Sequence, residues 1–291
     1  MSLLCGAIQT TCILFHVEHS LEFNDPLLPE QIRIILTSRW LGHRIHFYHQ
    51  VDSTNLTALE LARRGAPEGT VVLADRQLRG RGRGDRLWHS PAGVGIYCSI
   101  VLRPKVVAAK AQLITLMTGV AVAKAVTLKT GLSPQIKWPN DILVNDKKVA
   151  GILLESKATA TVVEHAVIGI GINVNHTSAD LPEQLLVGAS SLRMELGQAV
   201  ERHGLIVQLF IEIESLYERL QREDSAAILE QWRSFSATLG ERVRLVQKDK
   251  LLQGIAVDIT EEGALLLKTD RDALLAVHAG EVEHLRISAD D

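Results

Sequence analysis

A chain of 291 residues, 46% hydrophobic and 22% charged, has the material for a sizeable core and suits one large domain plus one small one. Its net charge of −3 excludes a global attraction to nucleic acid or an anionic membrane, so any anion must be recognised locally. Three cysteines, Cys5, Cys12 and Cys98, form no Cys-x-x-Cys pair, which speaks against a disulfide framework or a zinc site and for a reducing, cytoplasmic setting.

Residues 1–24 carry no clear period; their apolar start lacks a basic region and is broken by Gln9, Thr10 and Thr11, unlike a signal peptide. Pro29 to Trp40 sets Ile32, Ile35, Leu36 and Trp40 on one face and predicts a helix stopped by Gly42. Arg44 to Val51 alternates as a strand. The histidines at 43, 46 and 49 then point to alternating faces, so no intrinsic metal site is expected there. Asp52-Ser53-Thr54-Asn55 leads into a helix that ends before Gly65. Asp52 or Ser53 suits its cap, and the same hydroxyl and amide groups would suit the polar head of a ligand.

Thr70 to Ala74 and Gly95 to Leu102 read as buried strands. Between them, Arg76 to Arg86 carries five arginines against Asp85 alone, a local charge of +4. No core absorbs that many unpaired guanidiniums, so Asp75 to Trp88 is a loop. Gly80, Gly82 and Gly84 let its backbone bend and approach a ligand, and the arginines offer planar donors for carboxylate or phosphate. Ala108 to Thr130 predicts a long helix with Leu113, Leu116, Met117, Val120 and Ala121 inward; Lys110, Gln112 and Lys124 make it too polar to span a bilayer.

Gln135 to Leu154 reads as a strand, a proline turn and a hairpin closed by Asn145-Asp146-Lys147-Lys148. Lys137, in Lys-Trp-Pro-Asn-Asp, is an isolated cation at a strand end, where lysine commonly reaches for solvent. Val162 to Val174 is a strand holding Gly169-Ile170-Gly171-Ile172-Asn173. It lacks the third glycine and following helix of a dinucleotide fingerprint; small residues here let a backbone or ligand approach. Two amphipathic helices, about 198–222 and 224–235, precede five short strands from Gly240 onward, a compact antiparallel β module.

Taken together, Ser53-Thr54-Asn55, Gln77 ahead of Gly80-Arg81-Gly82-Arg83, Trp88, Lys137 to Asp141, Ala150-Gly151-Ile152-Leu153 and Gly169 to Asn173 resemble the biotin protein ligases over Leu28 to Arg286. The resemblance implies an α+β fold. A class II synthetase-like catalytic domain (28–238), with a mixed or antiparallel sheet and helices, is followed by a small C-terminal antiparallel β-barrel (239–288); residues 1–27 form an unassigned extension. It implies a ligase that joins biotin to AMP from ATP and Mg2+, then passes biotin to a lysine of a biotin carboxyl carrier domain. Ser53, Thr54, Asn55, Gln77, Arg81, Gly82, Arg83 and Lys137 are the implied biotin and biotinyl-AMP contacts. Lys137 and Arg83 are the implied catalytic cations, Gly82 the point of backbone approach, and Asn140 and Asp141 the neighbours of ATP and magnesium.

Asp85 departs from the family's usual glycine and could place a carboxylate near the phosphates. The 27 residues before Leu28 are too few for the helix-turn-helix of the repressor ligases, so no DNA binding is expected; a homodimer through edge strands is a family expectation. The alternatives are a lipoyl or octanoyl ligase, which has no ureido head to recognise, and a non-catalytic biotin-binding or regulatory protein.

Overall fold

The computed structural model describes residues 26–159, 161–247 and 250–284. The expectations for residues 1–25, and the ends of both the resemblance and the C-terminal domain beyond residue 284, lie outside the described residues.

Helix α1 (Pro29–Ile35) is shorter than its apolar period predicts. Leu36 turns extended, and the carboxylate of Glu214 then accepts the backbone N–H groups of Arg39, Trp40 and Leu41 at 2.8–3.1 Å, satisfying them outside a helix. Strand β1 (Arg44–Val51), helix α2 (Thr54–Arg63) and strand β3 (Gly95–Leu102) follow as expected, whereas strand β2 (Thr70–Gln77) continues through Asp75, Arg76 and Gln77, expected in the loop, because Arg76 and Gln77 stay in register with Gln50 and Val51 of β1. Helix α3 (Gln112–Thr130), capped by left-handed Gly131, is buried on every side rather than on one face. The sheet covers one flank and later helices the other; contrary to the sequence expectation the helix is long and apolar enough to cross a membrane by length and composition, and that apolarity serves the core.

Strands β4 (Gln135–Lys137), β5 (Asp141–Val144), β6 (Lys147–Ala158) and β7 (Val163–Asn173) complete a seven-stranded sheet in the order β1-β2-β3-β7-β6-β5-β4. Only β1 and β2 run parallel. Short helices α4 (Glu183–Leu186) and α5 (Leu192–Leu196) precede α6 (Arg202–Gln221) and α7 (Ser225–Phe235), which pack with α3.

Register assigns the two faces. Ile96, Cys98 and Ile100 of β3 stand opposite Ile172, Ile170 and Ile168 of β7, all buried in the main core. The alternate residues, Tyr97, Ser99 and Val101, stand opposite Gly171, Gly169 and Val167 on the α2 side. There Ala58 and Ala62 of α2 pack on Val72, Val101 and Val167. Beyond the N-terminus of α2 the same face continues as Gly169 and Gly171, with Gly151 paired to Gly171 from β6. Side chains vanish where the helix cover ends, and a cavity opens.

The C-terminal module is β8 (Arg242–Gln247), β9 (Lys250–Ile259), β10 (Leu265–Thr269), β11 (Leu274–Val277) and β12 (Glu281–His284), in the order β11-β10-β9-β8-β12. The expected antiparallel module is present, but β11 and β12 are its edges and no ladder joins them among the described residues. It is an open sheet, not a closed barrel. Trp138, buried behind β4, donates its indole N–H to the Gly263 carbonyl at 3.2 Å and its backbone N–H to the Thr238 hydroxyl at 3.0 Å, which ties the module to the seven-stranded sheet.

Candidate active site

The cavity on the glycine floor measures about 460 Å3. One wall is neutral. Ser53 caps α2 in an extended conformation but makes no side-chain cap bond, so its buried side chain is left to the cavity. Gln77, at the end of β2, accepts the backbone N–H of Thr54 at 2.8 Å and the Thr54 hydroxyl at 3.1 Å, and its amide donates to Ser90 Oγ at 2.9 Å. Ser99 Oγ lies 2.6 Å from Asn55 Oδ1, while Asn55 Nδ2 donates to Glu155 at 2.9 Å. A Cβ on Gly169 would stand 2.1 Å from Asn55 Oδ1, and one on Gly171 2.4 Å from Trp88 Nε1. The two glycines thus admit the side chains of Asn55 and Trp88, where the sequence suggested a close approach by a backbone or a ligand.

The arginine loop is better ordered than a solvated loop. Its base continues β1, with the backbone N–H groups of Leu78 and Arg79 donating to the Val51 and Asp52 carbonyls, both at 2.9 Å, and Arg79 ion-paired to Asp52. Trp88 N–H closes on the Gly80 carbonyl at 2.8 Å. Gly82 N–H donates to the Arg86 carbonyl at 2.7 Å. That N–H is therefore committed within the loop; Gly82 lines the cavity, and a side chain there would also crowd the Arg86 carbonyl at 3.3 Å. Arg81 lines the cavity and pairs with Glu155 at 2.8 Å. The side chain of Asp85 lies outside the described residues.

The opposite end is cationic. Arg83 NH1 reaches Asn140 Oδ1 at 3.4 Å and the Gly280 carbonyl of the C-terminal module at 3.2 Å. Burial pulls its guanidinium below the ordinary arginine value, with Asp141 opposing. Arg86 forms an ion pair with Glu281, so the module's last turn closes over the loop. Asn140 donates to the Ile152 carbonyl at 2.8 Å, which fixes its amide.

Lys137 is not among the residues lining the cavity; it ends β4 half-buried, in register with Asp141. The lysine in the cavity is Lys148. Its ammonium is 2.6 Å from Asp141 and 5.3 Å from the centroid of the Trp88 ring. Its backbone bonds to Gly188 and Ser190, both at 2.9 Å, so it is flanked on either side. The hairpin turn is two residues long, Asn145 and Asp146, both with positive φ, and Lys148 consequently belongs to β6 instead of the turn. A dipeptide of that type between apolar runs is the signal that would have found it.

Leu181, Leu185, Gly188 and Ala189 also line the cavity, as do Asn173 and Gln184. Trp88 Nε1 is buried without a hydrogen-bond partner, an open donor in the cavity wall.

Residues 47–173 match the model of the Biotin/lipoate A/B protein ligase family, and residues 238–285 that of the Biotin protein ligase C terminal domain. The chain is 37% identical to the Bifunctional ligase/repressor BirA of Bacillus spizizenii over 88% of its own length and 79% of the relative's. The chain belongs to the biotin protein ligase family. A second relative, the Biotin--[acetyl-CoA-carboxylase] ligase of Paracoccus denitrificans, is 35% identical over 75% of this chain and 92% of its own. Among solved structures, the biotin protein ligase from Aquifex aeolicus in complex with biotin and ATP superposes with a TM-score of 0.73 at 27% identity, covering 84% of this chain and all of that one. In this ligase family member the matched segments meet at the cavity: the first supplies its floor and loop, and the second contributes Glu281 to the lining and the Gly280 carbonyl to Arg83.

Proposed function

We propose that the protein is a biotin protein ligase, which converts biotin and ATP to biotinyl-5'-AMP and pyrophosphate and then transfers biotin to a lysine of a biotin carboxyl carrier domain, releasing AMP. The observation that carries this is one cavity with a neutral hydrogen-bonding wall at Ser53, Thr54, Asn55 and Gln77 and a cationic end at Arg83 and Lys148. A ligand with a polar uncharged head and a reactive carboxylate fits both ends at once. A lipoyl or octanoyl chain offers no hydrogen bond to the Ser53 hydroxyl, which makes no cap bond, or to the unpartnered Trp88 indole N–H, and leaving such a buried group unpaired costs about 1–3 kcal/mol.

Adenylation brings a carboxylate against the α-phosphorus of a polyanion, and pyrophosphate leaves. Arg81, Arg83 and Lys148 offset the repulsion as preorganised cations, with Lys148 in the role expected of Lys137. Asp141 and the Trp88 face hold the Lys148 ammonium in place. Magnesium would arrive on ATP: the carboxylates Asp141 and Glu281 line the cavity, each paired with a cation, which suits an ion that keeps most of its ligands as phosphate and water. It would neutralise phosphate charge. The apolar lining at Leu181 and Leu185 suits the planar base of ATP. In the second step the carrier lysine's amine attacks the acyl carbon, AMP leaves, and the amine proton passes to solvent.

The carrier belongs to a biotin-dependent carboxylase, in keeping with the name of the Paracoccus relative. A net charge of −3 favours the ligase half of the name ligase/repressor over DNA binding, and a buried free thiol at Cys98 accords with the cytoplasm. Incubation with biotin, ATP and magnesium, followed by mass spectrometry, tests the proposal. Accumulation of biotinyl-5'-AMP is expected; a protein that binds biotin yet makes no adenylate overturns it.

A further inference from the structure

Glu155 lies on β6 on the cavity face, opposite Val167 of β7, with its side chain 22% exposed. Its carboxylate is divided between two walls. One oxygen accepts Asn55 Nδ2 at 2.9 Å, and the other accepts Arg81 NH1 at 2.8 Å. Asn55 stands in α2 beside Ser53 and Thr54; Arg81 stands in the arginine loop, and both line the cavity. Asn55 is also held from its other side by Ser99, so Glu155 and Ser99 together fix the amide's orientation. Only one N–H edge of the Arg81 guanidinium is engaged, which leaves its remaining donors for an anion in the cavity.

We infer that Glu155 is a positioning residue for adenylate formation and retention, tying the arginine loop to the neutral wall so that the loop stays closed over biotin and its adenylate. The inference rests on the ligase reading above. Two features separate this tie from ordinary packing: both partners of Glu155 are cavity side chains, and they come from segments that have no other side-chain bond joining Arg81 to Asn55 among those described. Glutamine at 155 keeps the size but accepts through one oxygen only, and its amide presents N–H to Asn55 or Arg81, both donors. Aspartate keeps the charge but is one methylene too short to reach both.

The test measures biotin-dependent pyrophosphate exchange and release of preformed biotinyl-5'-AMP in wild type, Glu155→Gln, Glu155→Asp, Arg81→Ala and the Arg81→Ala/Glu155→Gln double variant. Both single changes at 155 are expected to raise the biotin KM and the adenylate release rate about 5–10-fold, with kcat at saturating biotin within about twofold. In the Arg81→Ala background the loop tie is already gone, and Glu155→Gln should change release less than about twofold. Unchanged or slower release in both single variants, or full multiplication of effects in the double variant, overturns the inference. Wild-type protein that makes no adenylate brings down the ligase reading, and the inference with it, a failure visible without any variant.

Discussion

At the scale of single residues, the two lysines divide the account most sharply. Lys148→Ala is expected to slow adenylation about 10²–10³-fold, the loss that follows removal of one preorganised charge, whereas Lys137→Ala should stay within about threefold of wild type. Rapid-quench measurement of biotinyl-5'-AMP formation checks both. The sequence made the motif around Lys137 conspicuous and left Lys148 in a turn, because composition does not say whether a polar run of four is all turn or a two-residue turn with a strand beginning inside it. The neutral wall was legible only as an option beside a helix cap, since hydroxyl and amide groups at a strand-to-helix junction commonly cap; the structure favours the ligand reading by leaving Ser53 without a cap bond. Gly82 was legible only as a glycine; that its N–H is spent on Arg86 depends on how the loop folds back. Gly169→Ala puts a methyl into Asn55, and we expect the biotin KM to rise about tenfold or more, read by steady-state exchange against kcat.

At the scale of elements, local period served well where an element has one buried face and poorly where partners come from far along the chain. Helix α3 is buried all round because α6 and α7, more than seventy residues later, cover the side a pattern would leave wet. Helix α1 stops early because of a carboxylate on α6. The C-terminal module likewise reads as strands in sequence, but its contact with Arg83 and Arg86 through Gly280 and Glu281 appears only in three dimensions. The Arg86–Glu281 pair is more than half exposed on both sides, so Glu281→Ala should change adenylate release less than about fivefold. Trp138→Phe removes the buried indole N–H that meets the Gly263 carbonyl and should cost about 1 kcal/mol in urea unfolding.

At the scale of the whole molecule, burial of titratable groups couples stability to pH. His176 is fully buried beside Tyr97, whose hydroxyl donates to the Pro91 carbonyl and lies 3.2 Å from His176 Nε2, while Nδ1 has no partner. Burial pushes the imidazole down to about 4. A base whose folded value lies below its unfolded one, near 6.5, gives stability that is complete above that value and is lost as pH falls from about 6.5 toward 4. The loss from this group is about 2 kcal/mol at pH 5. Urea unfolding at pH 7.5 and pH 5 should show it, and His176→Asn should flatten the dependence. A slope unchanged by that substitution would move the cause elsewhere. The basic loop pointed to an anionic ligand because five arginines lie within eleven residues; the fold meets part of that charge itself, pairing Arg79, Arg81 and Arg86 with Asp52, Glu155 and Glu281, which no local pattern announces.

The most direct measurement of the central claim, that one cavity joins a neutral ureido head to a cation-held reactive carboxylate, is isotopic ATP–pyrophosphate exchange by the purified protein with biotin, lipoate and octanoate in parallel. Exchange with biotin, at most a trace with the two acyl acids, and its loss in Lys148→Ala are the predicted result. Exchange driven as well by lipoate or octanoate, or biotin exchange undiminished without Lys148, would contradict it.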